Sequence, residues 1–419
     1  MFRCAALVAL LLLAAPASAQ VSMVSPGGDG ARHWPRWRGP GGQGVVPDGA
    51  YPERWSPTEN VLWKVPVPGR GNSSPVIWGK RLFLTTSYEE GKRRSILCYD
   101  IETGDKLWEA FVPDAVGEAV QPKNGWASGT PTTDGERVYA YFGSSGLFCV
   151  DVAGKPVWRH PLKAMKIFHG PSCSPLLYKD KIIIFQDHQS PHGSFVLAVD
   201  KLTGNEVWKT PRKEKVGWGS PIAITVDGQD QIIVSSEYRV YAYDPKDGKE
   251  IWSCGGNLVE VTPTPVVGFD HLYCCSGRAG PTLAVRPGKG DITKTNVTWK
   301  TIKGSPFIPS PLLYGDYLYM VNDVASVVTC FEAKKGTLLW QERCGEPVKH
   351  GFSASPIGVN GKVFFTNDDG ETYVLKAGPK FEVLGVNRLG EKTLASPALL
   401  DGKWYVRTER HLWRLGAKG

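Results

Sequence analysis

A proline preceded by serine or threonine recurs eight times along this 419-residue sequence at a nearly constant interval. The prolines are Pro75, Pro131, Pro175, Pro221, Pro265, Pro311, Pro356 and Pro397, separated by 56, 44, 46, 44, 46, 45 and 41 residues. The first interval is long because residues 113–128 form an insertion. A repeat of about 40–50 residues is typical of a four-stranded propeller blade, so the spacing predicts eight blades.

Each repeat combines short strands with an acidic turn and a tryptophan, as in DIETGDKLW at 100–108, DKLTGNEVW at 200–208 and DPKDGKEIW at 244–252. The acid can accept hydrogen bonds from the turn amides, and the glycine can take a positive φ. The tryptophan is predicted to start the fourth strand and to fill the wedge between neighbouring sheets. These structural tryptophans are Trp63, Trp108, Trp158, Trp208, Trp252, Trp299 and Trp340.

The two ends of the chain together predict how the ring closes. The eighth repeat supplies three strands, at 398–400, 403–407 and 411–415, and then the sequence ends. A spare strand containing Trp63 lies at 61–67. Pairing it with the last blade removes the open edge between first and last blades. The predicted fold is therefore all-β: an eight-bladed propeller of four-stranded antiparallel blades closed by an N-terminal strand.

The order of segments predicts an exported protein with one domain. Residues 1–19 combine a cation, a short apolar run and a small-x-small site, as in a signal peptide cut after Ala19. An uncleaved anchor is the alternative, and no other stretch is long enough to span a membrane. An extended segment at 20–59 precedes the propeller at 60–415 and a tail at 416–419. The chain is expected in the periplasm or outside the cell.

The scattered positive charge does not indicate a nucleic-acid partner. The formal net charge is +8, and its densest run, Lys92-Arg93-Arg94, is best interpreted as a solvated loop. No linker divides the repeats, which indicates a single domain. The chain is expected to be a monomer without a membrane span and without a nucleic-acid partner.

The acid-x₃-Gly-x₃-Trp run, with an Ala-x-Asp strand before it, resembles the repeat of pyrroloquinoline quinone (PQQ) propellers over residues 60–415. WPRWRGP at 34–40, with Gly44 behind it, and GRGNSSP at 69–75 are similar to the start of secreted PQQ-like proteins. The family includes quinoprotein dehydrogenases, the assembly lipoprotein BamB and cofactor-free members. The resemblance implies the fold and leaves the activity open.

The cysteines do not form a recognisable cofactor or metal motif. Cys274-Cys275 could form the vicinal disulfide of a quinoprotein dehydrogenase, but the repeat places this pair in an ordinary second strand. Cys98, Cys149 and Cys330 fill a slot that is alanine in other blades, which indicates a small buried residue. Neither a haem-binding nor a zinc-binding spacing occurs. We therefore expect no cofactor, with PQQ held by calcium as the alternative.

Residues just before each anchor proline are predicted to surround the mouth of the channel and to bind a ligand. They are Arg70, Trp126, His169, Trp218, Glu260, Phe307, His350 and Lys392. A possible second ring on loops between second and third strands contains Asp187, His188, His192, Arg278, Asp323, Asp368 and Arg410. Ordinary loop decoration is an equal alternative. Residues 187–192 could bring metal-type ligands near His169, but a solvated loop is preferred and no metal is predicted.

Three functions follow as hypotheses. The first is a non-catalytic binding or scaffold protein that takes a protein or small-molecule ligand at one propeller face, with no catalytic residues. The second is a PQQ-dependent dehydrogenase that oxidises an alcohol or sugar. The third is a BamB-like factor for outer-membrane protein assembly, against which the absence of a lipid-attachment cysteine weighs.

Overall fold

The computed structural model describes residues 20–164, 166–189, 193–277, 280–345 and 351–417. The predicted signal peptide lies outside them. Eight sheets surround a central channel, each containing four antiparallel strands in the order of a propeller blade. The only helices in the described ranges are short 3₁₀ turns at Gly28–Arg32, Glu89–Gly91 and Gly143–Ser145. Among these residues no helix has the length and apolar character needed to cross a membrane.

The strands follow the repeat. Two precede the first complete repeat: β1 (Val21–Met23) and β2 (Val61–Pro66). Blade 1 contains β3 (Val76–Trp78), β4 (Arg81–Tyr88), β5 (Arg93–Asp100) and β6 (Lys106–Phe111), and blade 2 contains β7 (Thr132–Thr133), β8 (Arg137–Tyr141), β9 (Leu147–Asp151) and β10 (Pro156–His160). Blade 3 contains β11 (Leu176–Tyr178), β12 (Lys181–Gln186), β13 (Phe195–Asp200) and β14 (Glu206–Pro211). Blade 4 contains β15 (Ile222–Val226), β16 (Gln229–Ser235), β17 (Arg239–Tyr243) and β18 (Glu250–Gly255).

Blades 5 to 8 follow in the same way. Blade 5 contains β19 (Val266–Gly268), β20 (His271–Cys275), β21 (Thr282–Val285), the short β22 (Gly290–Asp291) and β23 (Val297–Thr301). Blade 6 contains β24 (Leu312–Tyr314), β25 (Tyr317–Asn322), β26 (Val327–Glu332) and β27 (Thr337–Arg343), and blade 7 contains β28 (Ile357–Val359), β29 (Lys362–Thr366), β30 (Glu371–Lys376) and β31 (Val383–Arg388). Blade 8 contains β32 (Ala398–Leu400), β33 (Lys403–Arg407) and β34 (His411–Leu415).

The predicted closure of the ring is confirmed. Strand β2 pairs antiparallel with β34, placing Lys64 opposite Trp413 and Pro66 opposite His411. Blade 8 thus takes its outermost strand from the beginning of the propeller. This pairing covers an edge that would otherwise expose unpaired amides and carbonyls.

The core lies between the faces of neighbouring sheets. Inner strands are buried on both faces because a blade stands on either side, as in KIIIFQ of β12, in which five consecutive residues are buried. Outer strands alternate: EVWKTP of β14 buries its tryptophan and exposes the residues on either side of it. Each repeat therefore consists of inner strands that are continuous apolar runs, followed by an outer strand in which buried and exposed residues alternate.

The blade tryptophans do more than fill space. Most of their indole nitrogens donate to a carbonyl in the turn of the next blade, for example Trp108 to Val152 at 3.1 Å and Trp299 to Ala333 at 2.9 Å. The turn glycine lies against that indole: a Cβ at Gly204, whose φ is 73°, would lie 2.6 Å from the ring of Trp158. Glycine is therefore required both by its φ and by the close approach.

The third-strand position that is alanine in some blades and cysteine in others is also determined by the blade tryptophan. In six blades the tryptophan pairs with that small residue on the third strand, as Trp108 does with Cys98 and Trp208 with Ala198. A larger side chain there would overfill the wedge beside the indole. The slot is structural, as the sequence predicted.

The anchors form a chain of hydrogen bonds around the channel. Seven of the eight anchor amides donate to the anchor hydroxyl of the next blade at 2.9–3.0 Å. The chain of bonds runs through Ser74, Thr130, Ser174, Ser220, Thr264, Ser310, Ser355 and Ser396. The hydroxyl before each proline is therefore what joins neighbouring blades at their inner edges.

The segment before the propeller closes one end of the channel. Strand β1 pairs with β15, Trp34 bridges Ile77, and the amide of Val46 donates to Gly358. These partners lie on innermost strands of blades 4, 1 and 7. Because neighbouring strands are antiparallel, two sets of loops lie at the other end of the channel: the loops that precede the anchors, and the loops between the second and third strands of each blade. We call that side the mouth face and the closed side the far face.

Blade 5 departs from the repeat. Its connection after β21 is longer, and β22 pairs in parallel with β18 of blade 4. The carbonyl of Pro287 in that connection accepts from Asn296, and the indole nitrogen of Trp252 donates to Gln231 of its own blade at 2.8 Å.

Candidate functional site

A cavity of about 320 Å³ opens on the mouth face at the channel axis. Trp37, from the segment that closes the far end, contributes to its lining, and its indole nitrogen lies 3.4 Å from the hydroxyl of Ser396. The next residue, Arg38, donates to the carbonyl of Pro311 inside the channel. The N-terminal segment therefore provides the floor of the cavity.

Aromatic side chains form one wall. The rings of His169 and Trp218 are 5.0 Å apart, and Phe168 meets His169 edge-on at 4.6 Å. The indole nitrogen of Trp218 donates to Gly170 at 3.1 Å, which fixes the ring against the wall. Glu260 Oε1 lies 3.7 Å from His169 Nε2. Phe307 lines the cavity from blade 6.

Hydroxyl groups form the rest of the lining. Seven of the anchors named above line the cavity together with Ser128, Ser172, Thr262 and Ser353, and one of the seven, Ser396, also contacts Trp37. An anchor hydroxyl that accepts a bond from an amide still has its own proton to donate. The cavity thus offers aromatic faces and many neutral donors, and the part of its lining that is described contains no carboxylate.

The insertion at 113–128 covers part of the mouth. Asn124 donates to the carbonyl of His169 at 2.6 Å, and Arg70 donates to Asn124 at 2.7 Å from the other side. The base of the insertion is held by a buried ion pair between Arg94 and Glu118 at 2.9 Å. Gln121, Lys123 and Asn124 are thereby presented to the cavity.

A second pocket of about 480 Å³ adjoins the cavity where blades 8 and 1 meet. The two share Asn72, Lys123 and Leu394. Its other lining residues include Arg70, Asp368, Lys392, Arg407 and Glu409. Lys123 Nζ lies 2.7 Å from Asp368 Oδ2. Burial raises the pKa of Asp368 to about 6 in spite of that neighbour. We call this second space the cationic pocket.

The structure brings part of the predicted mouth ring together. His169, Trp218 and Phe307 line the cavity, whereas Arg70 and Lys392 line the cationic pocket. Glu260 lies beside His169. Trp126 supports the insertion instead, donating to the carbonyl of Glu118 at 2.6 Å. His350 lies outside the described residues.

The possible second ring is more dispersed. Asp368 lines the cationic pocket, and Asp323 is buried, accepting from the amide of Phe307 at 2.9 Å. Asp187 pairs with Arg212 at 2.9 Å inside blade 3, and its pKa is raised by burial. His188 contacts Gln186, and Arg410 lies 3.6 Å from Glu391. His192 and Arg278 lie outside the described residues. Binding by either ring stays a prediction.

Several lining residues were missed by the sequence analysis. Trp37 belongs to the WPRWRGP run and Lys123 to the insertion at 113–128. The sequence marked both segments as unusual but did not show that either residue lines the cavity. Arg407 has none, because it occupies an ordinary second-strand site of blade 8.

The described residues do not fit a calcium-held quinone. Calcium takes carboxylate and carbonyl oxygens, and the described part of the cavity supplies no carboxylate. No group of three His, Cys, Asp or Glu side chains among the described residues could hold a metal. Cys274 and Cys275 are free and belong to two different core clusters away from the cavity lining.

Comparisons with known proteins agree with the repeat. The sequence model of a family described as outer membrane protein assembly factor BamB matches residues 55–166, 92–342 and 324–418. No protein of curated function matches the sequence.

Solved structures share the fold at low identity. BamB from Moraxella catarrhalis is 14% identical with a TM-score of 0.63, over 85% of this chain and 97% of that one. Quinohemoprotein alcohol dehydrogenase from Comamonas testosteroni is 13% identical with a TM-score of 0.62, over 93% and 82%. The computationally designed Ika8 protein is 10% identical with a TM-score of 0.57, over 85% and 100%. Such identities show a shared architecture alone.

Proposed function

Because this chain belongs to the PQQ-like propeller family described as outer membrane protein assembly factor BamB, we propose that it is an exported binding protein without catalytic activity. Its partner is a protein that docks on the mouth face and places a projecting side chain in the axial cavity.

The observation that carries this proposal is an arc of exposed apolar side chains on mouth-face loops of blades 3 to 6. Phe168 is 57% exposed, Ile302 76% and Val324 73%. Tyr238, Leu258 and Val259 complete what we call the apolar arc, and the amide of Tyr238 donates to Leu258. Apolar side chains grouped on one face are typical of protein interaction sites.

The cavity complements the arc. Phe168 contacts His169, which contacts Trp218, so the arc continues into the aromatic wall. A space of about 320 Å³ accommodates one or two large side chains rather than a folded segment. Its neutral donors suit a polar tip, such as an amide or a backbone carbonyl.

Site-specific photo-crosslinking in the cell envelope tests the docking face. A benzophenone amino acid replaces Phe168, Val324 or Leu202. Leu202 is 51% exposed but lies on a far-face turn, which makes it the matched control. We expect the same protein adduct from Phe168 and Val324 and none from Leu202. Equal adducts at all three positions, or none at the mouth face, would contradict the proposal.

The absence of catalysis is tested separately. The purified chain is incubated with PQQ, calcium, an artificial electron acceptor and a panel of alcohols and sugars. We expect no acceptor reduction above the protein-free rate and no tight PQQ binding by calorimetry. Turnover that depends on the protein would establish a quinoprotein dehydrogenase instead.

A role in outer-membrane protein assembly is the second candidate, favoured by the family that matches most of the propeller. If it is correct, the adduct from Phe168 contains a component of the outer-membrane assembly machinery. An adduct with an unrelated envelope protein would support the binding role and remove this candidate.

Export itself is tested by fractionation. We expect the protein in the periplasm or the medium with Gln20 as its first residue, measured by intact mass. A full-length protein retained in the membrane fraction would instead indicate that residues 1–19 act as an anchor.

A further inference from the structure

The cationic pocket contains more positive than negative charge. Its described lining has four cations, Arg70, Lys123, Lys392 and Arg407, and two carboxylates, Asp368 and Glu409. Asp368 is already matched by Lys123 at 2.7 Å. Glu409 and Lys392 are both exposed at the rim, where solvent screens their charge. Arg70 is exposed at the rim as well. The buried charge without a counterion is therefore that of Arg407.

Arg407 is the unusual member. Its side chain is almost fully buried, with the residue 2% exposed, and its hydrogen bonds to described residues all go to neutral oxygens. Nη1 donates to the carbonyls of Ser73 and Thr85 and to the hydroxyl of Ser73, whereas Nε is buried without an acceptor. Burial lowers the pKa of this guanidinium to about 10. A buried charge without a counterion is costly, and an anion in the adjoining pocket would offset that cost.

The backbone leaves room for that partner. A Cβ at Gly71 would lie 2.8 Å from Arg407 Nη2, so glycine keeps the space beside this nitrogen open. Gly71 also lines the pocket. Arg70, the residue before it, is held by the carbonyl of Asn124 and stacks over Trp126 at 5.6 Å, which keeps a second guanidinium at the rim.

We infer that the cationic pocket binds an oxyanion of a small ligand, a carboxylate or a phosphate, on Arg407 with Lys392 and Arg70 around it. Guanidinium groups bind such anions through charge-assisted hydrogen bonds, and Arg407 Nε and Nη2 have donors to offer. The site lies on blades 8 and 1, away from the apolar arc, and so goes beyond the proposed function.

Calorimetric titration of the purified chain with citrate and, separately, with inorganic phosphate tests this inference. We expect binding of one anion per chain, and the anion that binds more tightly identifies the oxyanion. Lys392→Gln should weaken binding at least threefold and Arg407→Gln at least tenfold, since both remove charge from the pocket. Absence of binding by both anions at millimolar concentration would overturn the inference.

The matched control is Arg410→Gln. Arg410 is exposed on the same loop as Glu409 but pairs with Glu391 and does not line the pocket. It should change affinity less than twofold. An equal loss in Arg410→Gln and Lys392→Gln would indicate general surface attraction and refute a defined site. Lys392→Gln keeps the test valid if Arg407→Gln does not fold, because Lys392 is exposed.

The two proposals fail independently. Anion binding without mouth-face adducts would retain the oxyanion site and remove the protein-docking role. Adducts at Phe168 without anion binding would do the reverse.

Discussion

The mouth face has two unlike halves on one symmetrical scaffold. Blades 3 to 6 present the apolar arc and the aromatic wall, whereas blades 8 and 1, with the insertion, present the cationic pocket. The blades beneath both halves share the same four-stranded antiparallel order. The chemical character of the mouth face therefore depends on loops and on single departures from the repeat, because the strands are constrained by packing on both faces.

The largest effect should come from the aromatic wall. Trp218→Ala removes a ring that is 7% exposed, and we expect it to lower the free energy of unfolding by about 3–5 kcal/mol in urea denaturation. Tyr238→Ala, on the exposed part of the same half, should cost less than about 1 kcal/mol. Similar losses in the two variants would show that the wall is not a packed structure.

The cationic half should be less sensitive to truncation but intolerant of added volume. In Gly71→Ala the new Cβ would meet Arg407 Nη2, and also the carbonyl of Thr85 at 2.8 Å. We expect a loss of about 1–3 kcal/mol in unfolding free energy, together with loss of anion binding. Gly117→Ala, whose Cβ would meet only the flexible side chain of Lys92 at 3.8 Å, is the control and should be close to neutral.

Asp368 should make the stability of the cationic half depend on pH. Its pKa is raised from 3.8 to about 6 by burial, with Asp323 acting in the same direction and Lys123 against it. Because the folded protein binds this proton more tightly than the unfolded chain does, the protonated carboxyl stabilises the folded state. The stabilisation is complete below the unfolded pKa of 3.8 and is lost as the pH rises through the folded pKa of about 6.

Wild-type protein should therefore lose up to about 3 kcal/mol relative to Asp368→Asn between pH 4 and pH 7.5, measured by urea denaturation of both proteins. If the unfolding free energies of the two proteins changed with pH in the same way, the pKa of Asp368 would not be raised in the folded protein.

The smallest effect on stability should come from the apolar arc itself. Phe168→Ser and Val324→Ser change exposed loop residues, so the free energy of unfolding should stay within about 0.5 kcal/mol. The same substitutions should reduce partner adducts formed from a benzophenone at Tyr238. Unchanged adducts would restrict docking to the cavity and separate it from the arc.

Prediction from sequence succeeded where a short-range rule repeats. The acidic turn, its glycine and the following tryptophan are local in the chain and indicate the strand order, and the eight anchor prolines indicate the number of blades. The same pattern also identified the alanine and cysteine slot, which lies opposite the indole. The mouth ring stays a prediction, and only some of its members meet in one cavity.

The closed eight-bladed ring was thus determined by the sequence alone, because its periodicity and its spare terminal strand admit few other pairings. The floor of the cavity and the isolation of Arg407 were decided only by the tertiary structure. Trp37 reaches the channel through contacts such as Arg38 with Pro311, and Arg407 lies beside Gly71, more than 300 residues earlier in the chain. Such contacts depend on how the ring closes in space, and no local pattern encodes them.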